Sequence, residues 1–178
     1  MSKRKHQKFL SLYQPVHNRF ERFCRARAFG DMPYEDLMNE TLLVAYKKLE
    51  EIKNERAFLS YLIGISTRLL ANARRKKKAE TVEDDFILNN FADPYDAMER
   101  KWNVEMLHQA LARLPEQQRE AIILFEITGF SIKEIMAIQN SGESAVKQRL
   151  ARGRKELAKI IKSELLIEKT EVRKGEQK

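Results

Sequence analysis

Apolar residues return every three or four positions along nearly the whole chain, and no other feature limits its possible folds so sharply. At about 100° per residue, Met38, Leu42, Ala45 and Leu49 fall on one stripe, and so do Phe58, Leu62, Ile65 and Leu69. Only six Gly and four Pro interrupt 178 residues, mostly at segment borders, and no alternating strand pattern persists. The fold class expected from this pattern is all-α. The length suits one ordinary domain or two small ones, at about 100–200 residues per domain. No apolar run approaches the roughly 18 residues of a membrane-spanning helix. The basic N-terminus is followed by Gln7, Lys8, Ser11 and Gln14 where a signal peptide needs apolar residues, so a cytoplasmic protein without membrane insertion is expected.

Charge is distributed unevenly. The chain has 34 Lys and Arg against 26 Asp and Glu, a formal net charge of +8. Arg68, Arg74, Arg75, Lys76, Lys77 and Lys78 form one basic block, and Lys147, Arg149, Arg152, Arg154, Lys155, Lys159 and Lys162 form another. The stretch from Glu80 to Glu99 between them is strongly acidic, lacks a clean apolar period and is broken by Pro94, so it reads as a linker. Each basic block ends a helical pattern, which favours a polyanionic partner over a merely solvated face.

The segments can be placed in order. Pro33 precedes a helix expected from Tyr34 to Leu49, whose outer face carries Asp36, Glu40, Leu43 and Lys47. A leucine between carboxylates on that face points to a partner contact. A second long helix, about Glu55 to Lys78, ends in the first basic block. Trp102, Met106, Ala110 and Leu114 share a later face, and Pro115 begins a helix expected to reach about Leu124. Ser131 and Glu134 form a capping box for a short helix that stops at Asn140-Ser141-Gly142, and Ser144 opens a longer basic helix. Val146, Leu150, Gly153 and Leu157 should face inward, with Ser144, Gln148, Arg152 and Lys155 outward and Lys147 and Arg149 on the flanks. A capped helix, a tight turn and a basic helix make a helix-turn-helix, whose outward residue types read base edges or grip phosphates.

Several segments resemble bacterial RNA polymerase sigma factors, specifically the extracytoplasmic-function (ECF) group of the sigma-70 family. Residues Leu111 to Leu124 (LARLPEQQREAIIL) resemble the opening of sigma region four, and Ser131 to Met136 (SIKEIM) with Val146 to Arg154 (VKQRLARGR) resemble its helix-turn-helix. Tyr34 to Tyr46 (YEDLMNETLLVAY) is similar to the polymerase-binding helix of region two, while Phe58 to Ile65 (FLSYLIGI) and Asn72 to Lys76 (NARRK) are similar to its promoter-melting part. The resemblance implies two small helical domains joined by the acidic linker: region two over 1–78, linker over 79–100, region four over 101–163, and a tail over 164–178.

It also implies core RNA polymerase and promoter DNA as partners, and admits an anti-sigma factor as a third. Asp36, Asn39, Glu40 and Leu43 would bind polymerase. Arg56, Tyr61, Arg68, Asn72 and Arg75 would hold the melted strand of the minus-ten element, and Ser144, Lys147, Gln148, Arg149, Arg152 and Lys155 would contact the minus-thirty-five element. Asn39 stands where the family commonly has Gln, Tyr46 where it has Trp, Ser141 where the turn has an apolar residue, and Ala145 where Thr is usual. The last two changes should each weaken region four by about 1 kcal/mol.

Two other readings fit parts of the chain: a helix-turn-helix regulator acting without polymerase, and a helical adaptor whose basic faces serve solubility. No Walker P-loop, Rossmann glycine pattern, HExxH or nucleophile elbow is present, so neither an enzyme nor a cofactor is implied. A single cysteine, Cys24, and three scattered histidines, His6, His17 and His108, imply no disulfide and no structural zinc.

Overall fold

The computed structural model describes residues 3–52, 54–79 and 96–175, with side-chain surroundings within 3–52, 54–76 and 104–164. Every regular element among them is helical: α1 (Lys3–Tyr13), α2 (His17–Ala28), α3 (Tyr34–Lys47), α4 (Phe58–Ala79), α5 (Asp96–Ala112), α6 (Glu116–Ile122), α7 (Ile132–Ile138) and α8 (Glu143–Gly175). No helix among the described residues is long and apolar enough to cross a membrane.

In the N-terminal unit α2, α3 and α4 pack together around Phe20, Phe23, Leu37, Leu62, Ile63 and Leu70, all fully buried. α1 closes one end by setting Phe9 edge-on to Tyr46 and Phe58, with centroids 5.3 and 5.8 Å away. The reversal from α2 to α3 needs a left-handed residue, and Gly30 supplies it at φ 81° while Asp31 N–H donates to Ala28 O at 2.8 Å. Glu35 and Asp36 then occupy the first turn of α3, where carboxylates oppose the positive end of the helix dipole. The helix expected to reach Leu49 ends at Lys47; its inward stripe is buried at Met38 and Ala45 and half-buried at Leu42, and Leu49 is buried in the 3-10 turn Leu49–Glu51 that follows.

In the C-terminal unit the helix expected to reach Leu124 ends as α6 at Ile122 and continues as a π turn over Ile123–Ile127. Thr128 closes this turn by donating both its N–H and its hydroxyl to Ile123 O at 2.9 Å. α8 crosses α6 very closely at Gly153, where an added Cβ would fall 2.9 Å from Ile122 Cγ1. Val146 and Leu150 are buried beside Gly153, as the angular pattern requires. α8 also runs on to Gly175, past the end expected near Ser163. α4 extends to Ala79 and α5 starts at Asp96, so helix occupies both ends of the segment read as a linker. The rest of that acidic segment, 80–95, lies outside the described residues.

The two units pack on each other, α2 against the π turn and α4 against α7, and one apolar cluster runs through both.

Candidate polymerase and nucleic-acid interfaces

Three exposed faces carry the residues singled out from the sequence. On α3, Asp36, Asn39, Glu40 and Leu43 are all exposed and fall within an arc of about 100°, opposite the buried Leu37, Met38, Thr41 and Ala45. Leu43 is 54% exposed, and only it and Val104 are large apolar side chains so exposed among the described residues. Amide, carboxylate and isobutyl groups thus share one surface.

On α4, Tyr61, Arg68, Asn72 and Arg75 lie on one stripe, Tyr61 half-buried and the others exposed. Arg75 donates to the Asn72 side-chain oxygen, which holds the two as a pair. Arg56 is exposed but stands apart from this stripe, in the 3-10 turn Glu55–Ala57, where its N–H donates to Asn54 Oδ1 at 3.1 Å. The neighbouring Arg74 points elsewhere: it grips Asp31 with two donors, at 2.9 and 2.5 Å, and reaches Glu116 at 2.5 Å.

On α8, Ser144, Lys147, Gln148, Arg152 and Lys155 are exposed, and Glu143, Ser144, Lys147, Gln148 and Ala151 line an open depression. Lys147 pairs with Glu143 at 2.5 Å, and its hydrogen bond and charge hold the Glu143 carboxyl below its usual range. The preceding helix is capped as expected, with Glu134 N–H donating to Ser131 Oγ at 3.3 Å and Ser131 N–H donating back to Glu134 Oε2 at 2.8 Å. The Ser131 hydroxyl also donates to Glu134 Oε2 at 2.7 Å, and this bond, with that of the Ser131 N–H, lowers the Glu134 pKa.

Arg149 departs from the expectation of a DNA contact. It is half-buried and turned about 140° from Ser144, toward α7, where Nη1 donates to Gln139 Oε1 at 2.9 Å and Ser141 Oγ at 2.8 Å. Ser141, expected to weaken the turn for want of an apolar contact, instead accepts from Arg149 and donates to Gln139 O at 2.9 Å.

A polar seam between the units escaped sequence reasoning altogether. Arg119 of α6 is buried, and its Nη2 donates to Ala26 O, Arg27 O and Phe29 O at 3.0–3.1 Å, where α2 ends. Arg27, 1% exposed, pairs with Glu116, which Arg74 also holds. Arg19 donates to Thr128 O at 2.9 Å and to Gly129 O at 3.2 Å. Burial, with Arg74 and Arg119 nearby, lowers the Arg27 pKa to about 10, so it keeps its charge. Nothing local distinguishes these arginines from solvated ones, because their partners lie roughly 40–110 positions away along the chain.

A helix-turn-helix with a free polar face, beside a helical unit bearing a cationic stripe and a separate acidic-apolar face, defines a DNA-binding protein that also docks on another protein. Comparison with known proteins narrows this. Residues 12–80 match Sigma-70 region 2 and residues 104–157 match Sigma-70, region 4. The RNA polymerase sigma-H factor of Pseudomonas aeruginosa is 30% identical over 139 residues, 71% of this chain and 72% of that protein. The ECF RNA polymerase sigma factor SigM of Mycobacterium tuberculosis is 26% identical over 156 residues, 86% and 76% of the two chains. The fold is also that of the sigma factor RpoE solved with the anti-sigma factor NepR from Bartonella quintana, with TM-score 0.64, 24% identity and coverage of 90% and 98%. The chain belongs to the sigma-70 family of RNA polymerase sigma factors, in its ECF group. It therefore binds core RNA polymerase and promoter DNA in transcription initiation, and is not itself an enzyme.

Proposed function

We propose that the three exposed faces divide the work of initiation. The α3 face of Asp36, Asn39, Glu40 and Leu43 docks on polymerase; its support is an exposed leucine among acidic and amide groups on a helix whose other side is core. The α4 stripe of Tyr61, Arg68, Asn72 and Arg75, joined by Arg56 from the separate 3-10 turn before it, holds the unpaired strand of the minus-ten element. Separated bases offer faces for aromatic stacking and a backbone for cations. Ser144, Lys147, Gln148, Arg152 and Lys155 of α8 enter the major groove of the minus-thirty-five element. This division corresponds to a region-two domain over 1–78 and a region-four domain over 101–163, joined through 79–100 and followed by a tail over 164–178.

The work takes place in the cytoplasm, where polymerase acts. Structures of similar fold hold anti-sigma factors, which supports an anti-sigma factor as a further partner of this chain. The exposed outer face of α8, with its inner face fully occupied by the unit's own core, is the observation that carries the DNA-reading assignment. Transcription in vitro with purified core polymerase tests the docking assignment. The wild-type chain should direct a defined start site, and Glu40→Lys should abolish that start while leaving helicity unchanged. A start site that persists with Glu40→Lys overturns the docking assignment.

A further inference from the structure

The turn of the helix-turn-helix is held by side-chain hydrogen bonds rather than by an apolar plug. After α7, Asn140 adopts a left-handed φ of 45°, and Ser141 N–H donates to Met136 O at 3.0 Å. Gln139 is then anchored on α6, its Nε2 donating to Glu120 Oε2 at 2.9 Å and to Gln117 O at 3.2 Å. Its other end, Oε1, accepts from Arg149 of α8, and Arg149 also donates to Ser141 Oγ. The orientation of the Gln139 amide is fixed, because its donor side meets two acceptors and its acceptor side a donor. The amide lies between the Glu120 carboxylate and the Arg149 guanidinium, so each hydrogen bond polarises the next.

We infer that Arg149 is the positioning residue of the recognition helix: through Gln139 and Ser141 it locks α8 to α6 and α7, and it does not itself touch DNA. This rests on the reading of α8 as the minus-thirty-five reader, and it removes Arg149 from that helix's contact set. The clamp sets both the rotation and the axial position of α8, because it grips the helix more than one turn beyond Ser144, on the flank turned toward α6 and α7. Loosening it should blur every contact made by Ser144, Gln148 and Arg152 together. Loss of a phosphate contact would instead act on affinity alone and on its salt dependence.

The test uses holoenzyme assembled from core polymerase and the full chain, on templates with and without a minus-thirty-five element. Arg149→Ala should lower affinity for the complete promoter about tenfold and flatten base preference at several positions of the element. The slope of log affinity against log salt should stay at the wild-type value. Lys155→Ala, the comparison, should reduce that slope by about 0.9, as loss of one phosphate contact requires. Ser141→Ala and Gln139→Ala should each reproduce part of the Arg149→Ala loss and add little to it when combined, which keeps the test valid if Arg149→Ala folds poorly. The double variant Ser141→Val with Arg149→Met, which replaces the polar clamp by an apolar contact, should recover base preference. A salt slope reduced by about 0.9 in Arg149→Ala, or wild-type binding by both Ser141→Ala and Gln139→Ala, overturns the inference while leaving α8 as the reader. If Arg152→Ala, Lys155→Ala and removal of the element itself all leave binding unchanged, both the reading and the inference fall.

Discussion

Replacing Arg119 by methionine keeps an unbranched apolar stem but removes the guanidinium, a charge that the structure spends on another helix. Nη2 has two N–H groups shared among the carbonyls of Ala26, Arg27 and Phe29. Two charge-assisted bonds, at about 1.5–3 kcal/mol each, amount to about 3–6 kcal/mol. Against this, Arg119 Nε is buried with no partner among the described residues, a penalty of about 1–3 kcal/mol that methionine relieves. The net loss should be about 2–3 kcal/mol at matched ends of these ranges, concentrated where the two units meet, and the end of α2 should fray as its carbonyls lose their donor. Urea unfolding followed by circular dichroism, with donor and acceptor dyes on α1 and α8, measures both effects. The midpoint should fall, and the dyes should separate at urea concentrations that still preserve most helicity. Arg154→Met, which removes an exposed pair with Glu126 and a cation–π contact with Phe125 at 5.3 Å, should change stability by about 1 kcal/mol or less. An Arg119→Met midpoint and dye separation equal to wild type would show that these bonds contribute no net stability to the seam.

Four other outcomes are expected. Leu43→Asp should weaken polymerase binding by about 2 kcal/mol or more, because a carboxylate would be desolvated in the contact, and competition against wild-type chain for core polymerase checks it. Tyr61→Ala and Arg75→Ala should impair open-complex formation more than closed-complex binding, since stacking contributes about 1–3 kcal/mol per base only after the strands part; permanganate footprints identical to wild type would remove α4 from this step. Arg152→Ala should cost about 1–3 kcal/mol on a promoter with its minus-thirty-five element and relax preference at one position, measured by binding to a set of single-base variants. His108, tilted against Phe29 with ring centroids 5.7 Å apart, has its pKa lowered by burial and then by the Arg119 and Arg25 cations. Below the ordinary value of 6.5 the unfolded chain therefore binds more protons than the folded one, and stability should fall as pH drops through that value and level off below the folded pKa. His108→Gln should flatten this part of the stability curve, and parallel curves for the two proteins would refute it.

The helices and their inward faces were legible in the sequence because each depends on residues three or four apart. Met38 and Ala45, Val146 and Leu150, and the Ser131–Glu134 capping box all appear where local spacing puts them. The outward faces followed by subtraction, which is why Leu43, Gln148 and Arg152 were found exposed. Arg149 shows the limit of that reasoning: its phase places it on a flank, but only the approach of α7 and α6 decides that its guanidinium meets Gln139 and Ser141. Ser141 shows it from the other side, since its hydroxyl has a partner eight positions away that a list of usual residue types does not contain. The seam between the units was illegible for the same reason on a larger scale. Arg19, Arg27 and Arg119 have the composition of surface residues, and they become buried or engaged only because a second helical unit brings carbonyls and carboxylates to them. Periodicity determines which side of a helix avoids water; what a charged side chain finds there is decided by how the helices pack.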